Sequence, residues 1–194
     1  MLKRILLASW LAVFSALPAF ATSVLPLDLG QVIDQAVVAF QGTAVDVKTG
    51  KDPQTGMLVT LTTFRVDDVL KGSVPAMYTI KQIGGTDASA GLTFKAYGVP
   101  SYTVGQSYVL FMNGVSSAGF TSPVGLHQGR FQVVDGDAGP EVGNGGDLRE
   151  MTANTPDLEL PPAAKAKAGI DKPVRRVGLD DFKAMVRRHA GAKQ

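Results

Sequence analysis

Apolar residues fall at helical spacing in LDLGQVIDQA, where Leu29, Val32, Ile33 and Ala36 share one face and Asp28 is placed to cap the first turn. The pattern then changes period. VVAFQGTAVDV, rich in β-branched residues, predicts a strand from Val37 to Val47, and KTGKDPQTG predicts a turn-rich connection broken by Gly50, Pro53 and Gly56. MLVTLTTFRVDDVL reads as a long strand, with Leu58, Phe64 and Val66 on one face and Val59 and Leu61 on the other. Apolar residues on both faces at its start predict a strand that bends between two packing environments, as strands of small barrels do.

Further strands are predicted at Met77 to Ile83, at Leu92 to Tyr97 and at Ser107 to Met112, the last buried on both faces. GFTSPVGL and GRFQVV predict two more, joined across Leu126 to Gly129. Many short strands separated by Gly-rich turns predict a mainly β protein whose antiparallel sheet closes, or nearly closes, into a small OB-type barrel over residues 22–145. Residues 146–177, rich in Pro, Ala and Lys, predict an extended, mobile linker. The chain then closes with an amphipathic helix over 178–191, with Leu179, Phe182, Met185 and Val186 on its apolar face, acids in its first turn and bases in its last.

The first residues change the picture of where the protein works. Lys3 and Arg4 precede an apolar run from Ile5 to Leu17, and Ala19-Phe20-Ala21 follows, which is the order of a secretory signal peptide over 1–21. Those thirteen apolar-run residues fall short of the roughly 20 that span a bilayer as a helix, so cleavage after Ala21 is expected, leaving no transmembrane span. The mature chain is then expected to be periplasmic or secreted. No cysteine is present, which excludes disulfides, thiolate metal sites and thiol catalysis.

Net charge is +2, but it is unevenly spread. Residues 22–160 carry eight Lys/Arg against fourteen Asp/Glu, whereas 161–194 carry nine against three. The default reading of such a basic tail is solvation, with folding back onto the acidic body or contact with an anionic surface as the alternatives. An acidic body without a basic, aromatic-lined groove disfavours nucleic acid as a partner.

Taken in order, VVAFQGTAV, FRVDDVLKG, YTIKQIGG, AGLTF, VGQSYVLFM and GRFQVV resemble the netrin-like module of the tissue inhibitors of metalloproteases, over roughly Leu25 to Val134. F-x-V-x-x-V-L-K-G is the most recognisable phrase. The chain is also similar to a group of exported bacterial proteins of unassigned function. The resemblance implies an OB-type barrel and a protein partner, an exported metalloprotease being the class it names. It further implies contact through the mature N-terminus, here Thr22 and Ser23, and through the loop holding Gly84, Gly85, Thr86, Asp87 and Ser89. The eukaryotic modules present an N-terminal cysteine whose amine and carbonyl chelate the protease zinc; here Thr22 stands in its place.

No pattern calls for a cofactor or a metal. Asp67 and Asp68 are adjacent, so in a regular strand they point to opposite faces and cannot serve one substrate as a pair. His127 has no anchored nucleophile or orienting group in the sequence, and His127 and His189 together are too few nitrogens for an ordinary zinc site. DASAG around Ser89 half-matches the nucleophile elbow but lacks its first glycine, and DGDAG from Asp135 reads as a hairpin turn rather than a calcium loop. The expected function is therefore an exported non-enzymatic binding module, an inhibitor of or accessory to an exported protease. Two alternatives stay open: a small hydrolase using Ser89 or His127, and an envelope structural protein docking through its C-terminal helix.

Overall fold

A computed structural model describes residues 25–192, so the predicted signal peptide, Thr22 and Ser23 lie outside the described residues. Asp28 opens helix α1, Leu29–Gln35: its carboxylate accepts from the Gln31 amide at 2.8 Å, and the Gln31 side chain accepts from the Asp28 amide at 3.0 Å. This reciprocal pair satisfies two amides that the first turn leaves without partners. Leu29, Val32 and Ile33 are buried on one face, as their spacing predicts.

Seven strands form one antiparallel sheet: β1 Val38–Lys51, β2 Leu58–Lys71, β3 Met77–Ile83, β6 Ser107–Met112, β7 Arg130–Gly136, β8 Gly139–Gly143 and β9 Val177–Gly178. Their spatial order is β3-β2-β1-β6-β7-β8-β9, and a separate hairpin pairs β4 Gly85–Asp87 with β5 Leu92–Phe94. β1 runs four residues beyond the predicted Val47, because Lys48 to Lys51 continue the ladder opposite Leu58 to Leu61. The β1–β2 register slips three times, leaving Val45, Asp67 and Leu70 without direct partners. Each such bulge adds a residue to one strand and reverses which side chains face inward. Phe64 consequently enters one core and Leu70, on the same strand, the other.

The sheet is buried on both faces at its centre. In β6, Tyr108, Leu110 and Met112 point into an aromatic layer with Phe40, Phe64, Ile80 and Tyr102, while Val109 and Phe111 point into a second layer beneath the helices. Edge-to-face contacts knit the first layer, with Phe64–Tyr102 centroids 5.0 Å apart and Tyr102–Tyr108 centroids 5.2 Å apart. Strand pairing does not close a barrel among the described residues, since β3 and β9 are sheet edges. The expected strand around Pro123 is reduced to one bridge with Met112. Irregular segment 120–123 nevertheless reaches both sides: Asn113 N donates to Ser122 O and Thr121 N donates to Lys81 O, each at 3.0 Å. The aromatic layer is thus wrapped by β3, β2, β1, β6 and this segment.

Residues 146–177 do not form the extended linker that composition predicts. They contain α2 Leu148–Thr152 and α3 Pro162–Ala168, and they bury Leu148, Leu158, Leu160, Val174 and Val177 in the helix-side layer. A few well-spaced large apolar side chains suffice, because a core built elsewhere in the chain receives them. Polar bonds fix the path: the Asp147 carboxylate accepts from Arg149 N at 3.0 Å and Val174 N at 2.9 Å. At Gly143 a Cβ would lie 2.1 Å from the Arg175 carbonyl, so only glycine permits this approach of 174–177 to β8.

The C-terminal helix α4, Leu179–Gly191, packs onto the chain's own sheet. Leu179, Phe182, Met185 and Val186 are buried as predicted, and His189 and Ala190 join them. Phe182 lies 4.8 Å from the Phe131 ring centre and 6.2 Å from that of Phe111. The basic tail is accordingly not simply solvated: Lys183 Nζ sits 3.2 Å from Asp68, and Arg187 bonds the same carboxylate. Among the described residues no helix is long and apolar enough to cross a membrane.

Candidate functional site

Two concavities are lined by neighbouring stretches of chain: Val99 and Leu126 line the first, and Tyr97, Gly98, His127 and Gln128 line the second, Leu126–Gly129 being a 3-10 turn. The first, of about 420 Å³, lies at the end of β3, where Lys81, Gln82 and Ile83 line it. Its walls are chiefly apolar, from Met57, Ile83, Val99, Phe120 and Leu126. The second, of about 1050 Å³, is a polar cleft between Pro26 to Asp28, Tyr97 and Gly98, His127 and the 144–151 segment.

Most polar groups of the large cleft are engaged in holding the chain. The Gln128 side chain accepts from Leu27 N at 2.7 Å and donates to Leu25 O at 3.0 Å, tying the first described residues to the 3-10 turn. Asp28 and Asp147 cap α1 and α2. His127 is exposed on the rim.

The candidate loop residues Gly84, Gly85, Thr86, Asp87 and Ser89 form the first half of the β4–β5 hairpin and its turn. Gly84 adopts φ +101°, and a Cβ on Gly85 would meet the Val59 carbonyl at 2.6 Å, so both glycines are needed to seat the hairpin. Thr60 Oγ1 donates to Gly84 O at 2.7 Å, and Thr49 Oγ1 donates to Thr86 O at 3.0 Å, anchoring it on β2 and β1. One Asp87 oxygen accepts from Ser89 Oγ at 2.6 Å, Ser89 N at 3.0 Å and Ala90 N at 3.2 Å. The Ser89 hydroxyl, then these amides, hold the Asp87 carboxyl below its ordinary pKa. Ser89 thus serves its own turn and lines neither concavity, while His127 lines the larger cleft. The hairpin exposes Leu92 and Phe94, and Tyr97 just beyond it is 91% exposed.

Asp67 and Asp68 also have separate structural partners. Asp67 accepts from Thr43 Oγ1 at 2.9 Å and pairs with Arg65 at 3.1 Å, while Asp68 anchors α4. The Asp135 stretch is the tight β7–β8 turn, with Gly136 opposite Gly139.

Beside the smaller cavity lies a feature that sequence reasoning missed. Lys81 Nζ stands 3.1 Å from Asp52 and 4.8 Å from the Phe120 ring centre, with both ionic side chains largely buried. Asp52 also accepts from Thr55 Oγ1 at 2.7 Å and Thr55 N at 3.0 Å, closing the β1–β2 turn. The Thr55 hydroxyl foremost, with Lys81, holds this carboxyl below its ordinary 3.8, against burial, which pushes the other way. A depressed folded-state pKa gives stability that is complete above the unfolded value and lost as pH falls through the folded one. Titration followed at the Thr55 amide is expected to show the turn released only at a pH below the ordinary carboxylate range. Asp52→Asn should abolish that acid step; a step that persists would belong to another group.

Gln82, only 3% exposed, lines the same cavity, and its carboxamide nitrogen has no hydrogen-bond partner among the described residues. The signal for it was present in MYTIKQI, where Tyr78, Ile80 and Gln82 alternate and a polar residue takes an inward position.

Fold and surface together define a mainly β antiparallel protein with short helices on one side of its sheet, an exposed hairpin and two concavities. No known protein family and no curated protein matches the chain, so a functional reading has to be built on this geometry.

Proposed function

We propose that the protein is an exported, non-enzymatic binding module of OB or netrin-like type that engages a protein partner, an exported metalloprotease being the class its sequence resemblance names. The observation that carries this reading is the placement of exposed apolar side chains on a rigid scaffold. Leu92 and Phe94 project from a hairpin pinned to β1 and β2, and Tyr97, just beyond it, lines the same cleft as Pro26 to Asp28, where the described chain begins. Exposed aromatic residues held by a fixed backbone bind partners at low entropic cost. The wrapping of the aromatic layer by five segments, with Thr121 linking β3 to the β6 side, supports the OB-type reading.

The test is binding of the mature protein to a panel of purified exported metalloproteases, measured by interferometry alongside protease inhibition. Binding is expected to weaken about tenfold or more in Tyr97→Ala and in Phe94→Asp. Absence of binding across the panel would remove the protease reading, and binding indifferent to both changes would remove the site. An esterase or peptidase activity abolished by Ser89→Ala or His127→Ala would replace the binding module with the hydrolase.

A further inference from the structure

We infer that the outer edge of β3, at Met77 to Thr79, is a docking site for an extended segment of a protein partner, which joins the sheet as a further antiparallel strand through main-chain hydrogen bonds. This goes beyond the proposed function, since it uses neither Tyr97 nor the exposed face of the hairpin.

Register fixes which way each backbone group points. The β2–β3 pairing runs without a slip from Val59 opposite Ile83 to Arg65 opposite Met77. The bonds that flank it, Val66 N to Ala76 O at 2.8 Å and Gly84 N to Leu58 O at 2.9 Å, assign the even positions of β3 to β2. Met77, Thr79 and Lys81 therefore direct both N–H and C=O away from β2. Thr121 N marks that direction by donating to Lys81 O at 3.0 Å. Among the described residues this is the only backbone bond on the outer side of β3, so Thr79 presents a donor and an acceptor without main-chain partners in the middle of a regular strand.

The devices that usually blunt an edge are missing here. Shortness, proline, a bulge or an outward lysine normally discourage pairing. The opposite edge, β9, is two residues long, whereas β3 has seven, with no proline and no bulge. Its one cation, Lys81, has its ammonium drawn to Asp52 at 3.1 Å and to the Phe120 ring. Main-chain groups at strand spacing recognise another extended main chain, which sets the class of occupant. On the inner face, half-buried Tyr78 lies 5.3 Å from Phe40 between ring centres; on the outer face, Met77 and Thr79 are exposed. A strand that turns apolar residues toward Tyr78 and polar ones outward fits both faces. A second copy fits less well. Two-fold pairing about Thr79 would set its Met77 opposite Lys81, where Thr121 already sits.

The probe is the peptide Ac-Lys-Val-Thr-Val-Thr-Val-Lys-NH2, titrated into the full mature protein and followed by backbone amide resonances. Met77 and Thr79 should shift, and hydrogen exchange at Thr79 N should slow. In antiparallel pairing the peptide's threonine amides face β3 and its valine amides face away. N-methylation of the threonine amides should weaken binding about tenfold or more, and N-methylation of the valine amides should not. Thr79→Pro removes a donor that β2 does not use, so the fold should stand while binding falls to the same degree. Thr79→Ala keeps that donor and should bind within about threefold of the parent. Tyr97→Ala and Phe94→Asp should bind the peptide normally, which separates failure of this site from failure of the hairpin reading. Absence of binding, binding indifferent to threonine methylation or to Thr79→Pro, or shifts confined to the hairpin would overturn the assignment. A dimer of the protein alone that Thr79→Pro dissolves would overturn it in favour of a second copy.

Discussion

Phe182→Ala is expected to lower the stability of the protein by about 3–5 kcal/mol, the range for removing a large aromatic side chain from a packed core. Phe182 is fully buried between the Phe131 and Phe111 rings, the first 4.8 Å from it between ring centres. It is the point at which α4 enters the helix-side layer. For a chain of this size the loss corresponds to a fall in melting temperature on the order of 10 °C, measurable by calorimetry or urea titration. Deleting 178–194 should do more, since it strips Leu179, Phe182, Met185 and Val186 from the core together. That outcome separates a helix that completes the domain from one reserved for a partner: the apolar face is already occupied, so docking through it would require undocking first. A transition unmoved by Phe182→Ala would show that α4 is not part of the cooperative unit.

His189→Phe is expected to cost about 2 kcal/mol, although a planar aromatic ring is kept at the position. His189 is 2% exposed, with Nδ1 2.6 Å from an Asp157 oxygen and Nε2 3.1 Å from an Asp34 oxygen. It joins three segments: α4, the turn before Leu158, and α1. Phenylalanine would set two carboxylate oxygens against a hydrocarbon edge. Both aspartates are about 40% exposed and can take up water in exchange, which keeps the figure below that for breaking a fully buried ion pair. Urea denaturation compares the two proteins directly. Equal midpoints and slopes would mean that the imidazole contributes only its volume. Lys183 and Arg187 on Asp68 are more accessible to solvent, so Asp68→Asn should cost less than about 1 kcal/mol by the same measurement.

The candidate site was only partly legible. Gly84 to Ser89 could be singled out as a loop, and the structure shows how Gly85 and Asp87 shape it. That Tyr97 would share a cleft with Pro26 to Asp28 has no trace in local pattern, because the two stretches are brought together only by the path of the sheet. The cavity beside Gln82 is similar. Its walls come from Met57, Ile83, Val99, Phe120 and Leu126, five places in the chain whose apolar character is unremarkable one at a time.

Local spacing alone was enough to establish the inward residues of α1, of β6 and of α4, because helical and strand periods assign side chains to faces wherever the chain folds regularly. It could not settle which of two cores Phe64 and Leu70 enter, because the bulges at Asp67 and Leu70 exist only once β1 and β2 are paired. Nor could it show that residues 146–177 pack, since Leu148, Leu158 and Leu160 are too few to make a core and ample to complete one. His189 and Asp34 stand 155 positions apart and meet in one hydrogen bond. Contacts at such separation depend on the whole chain having closed around them, and no short-range preference encodes that.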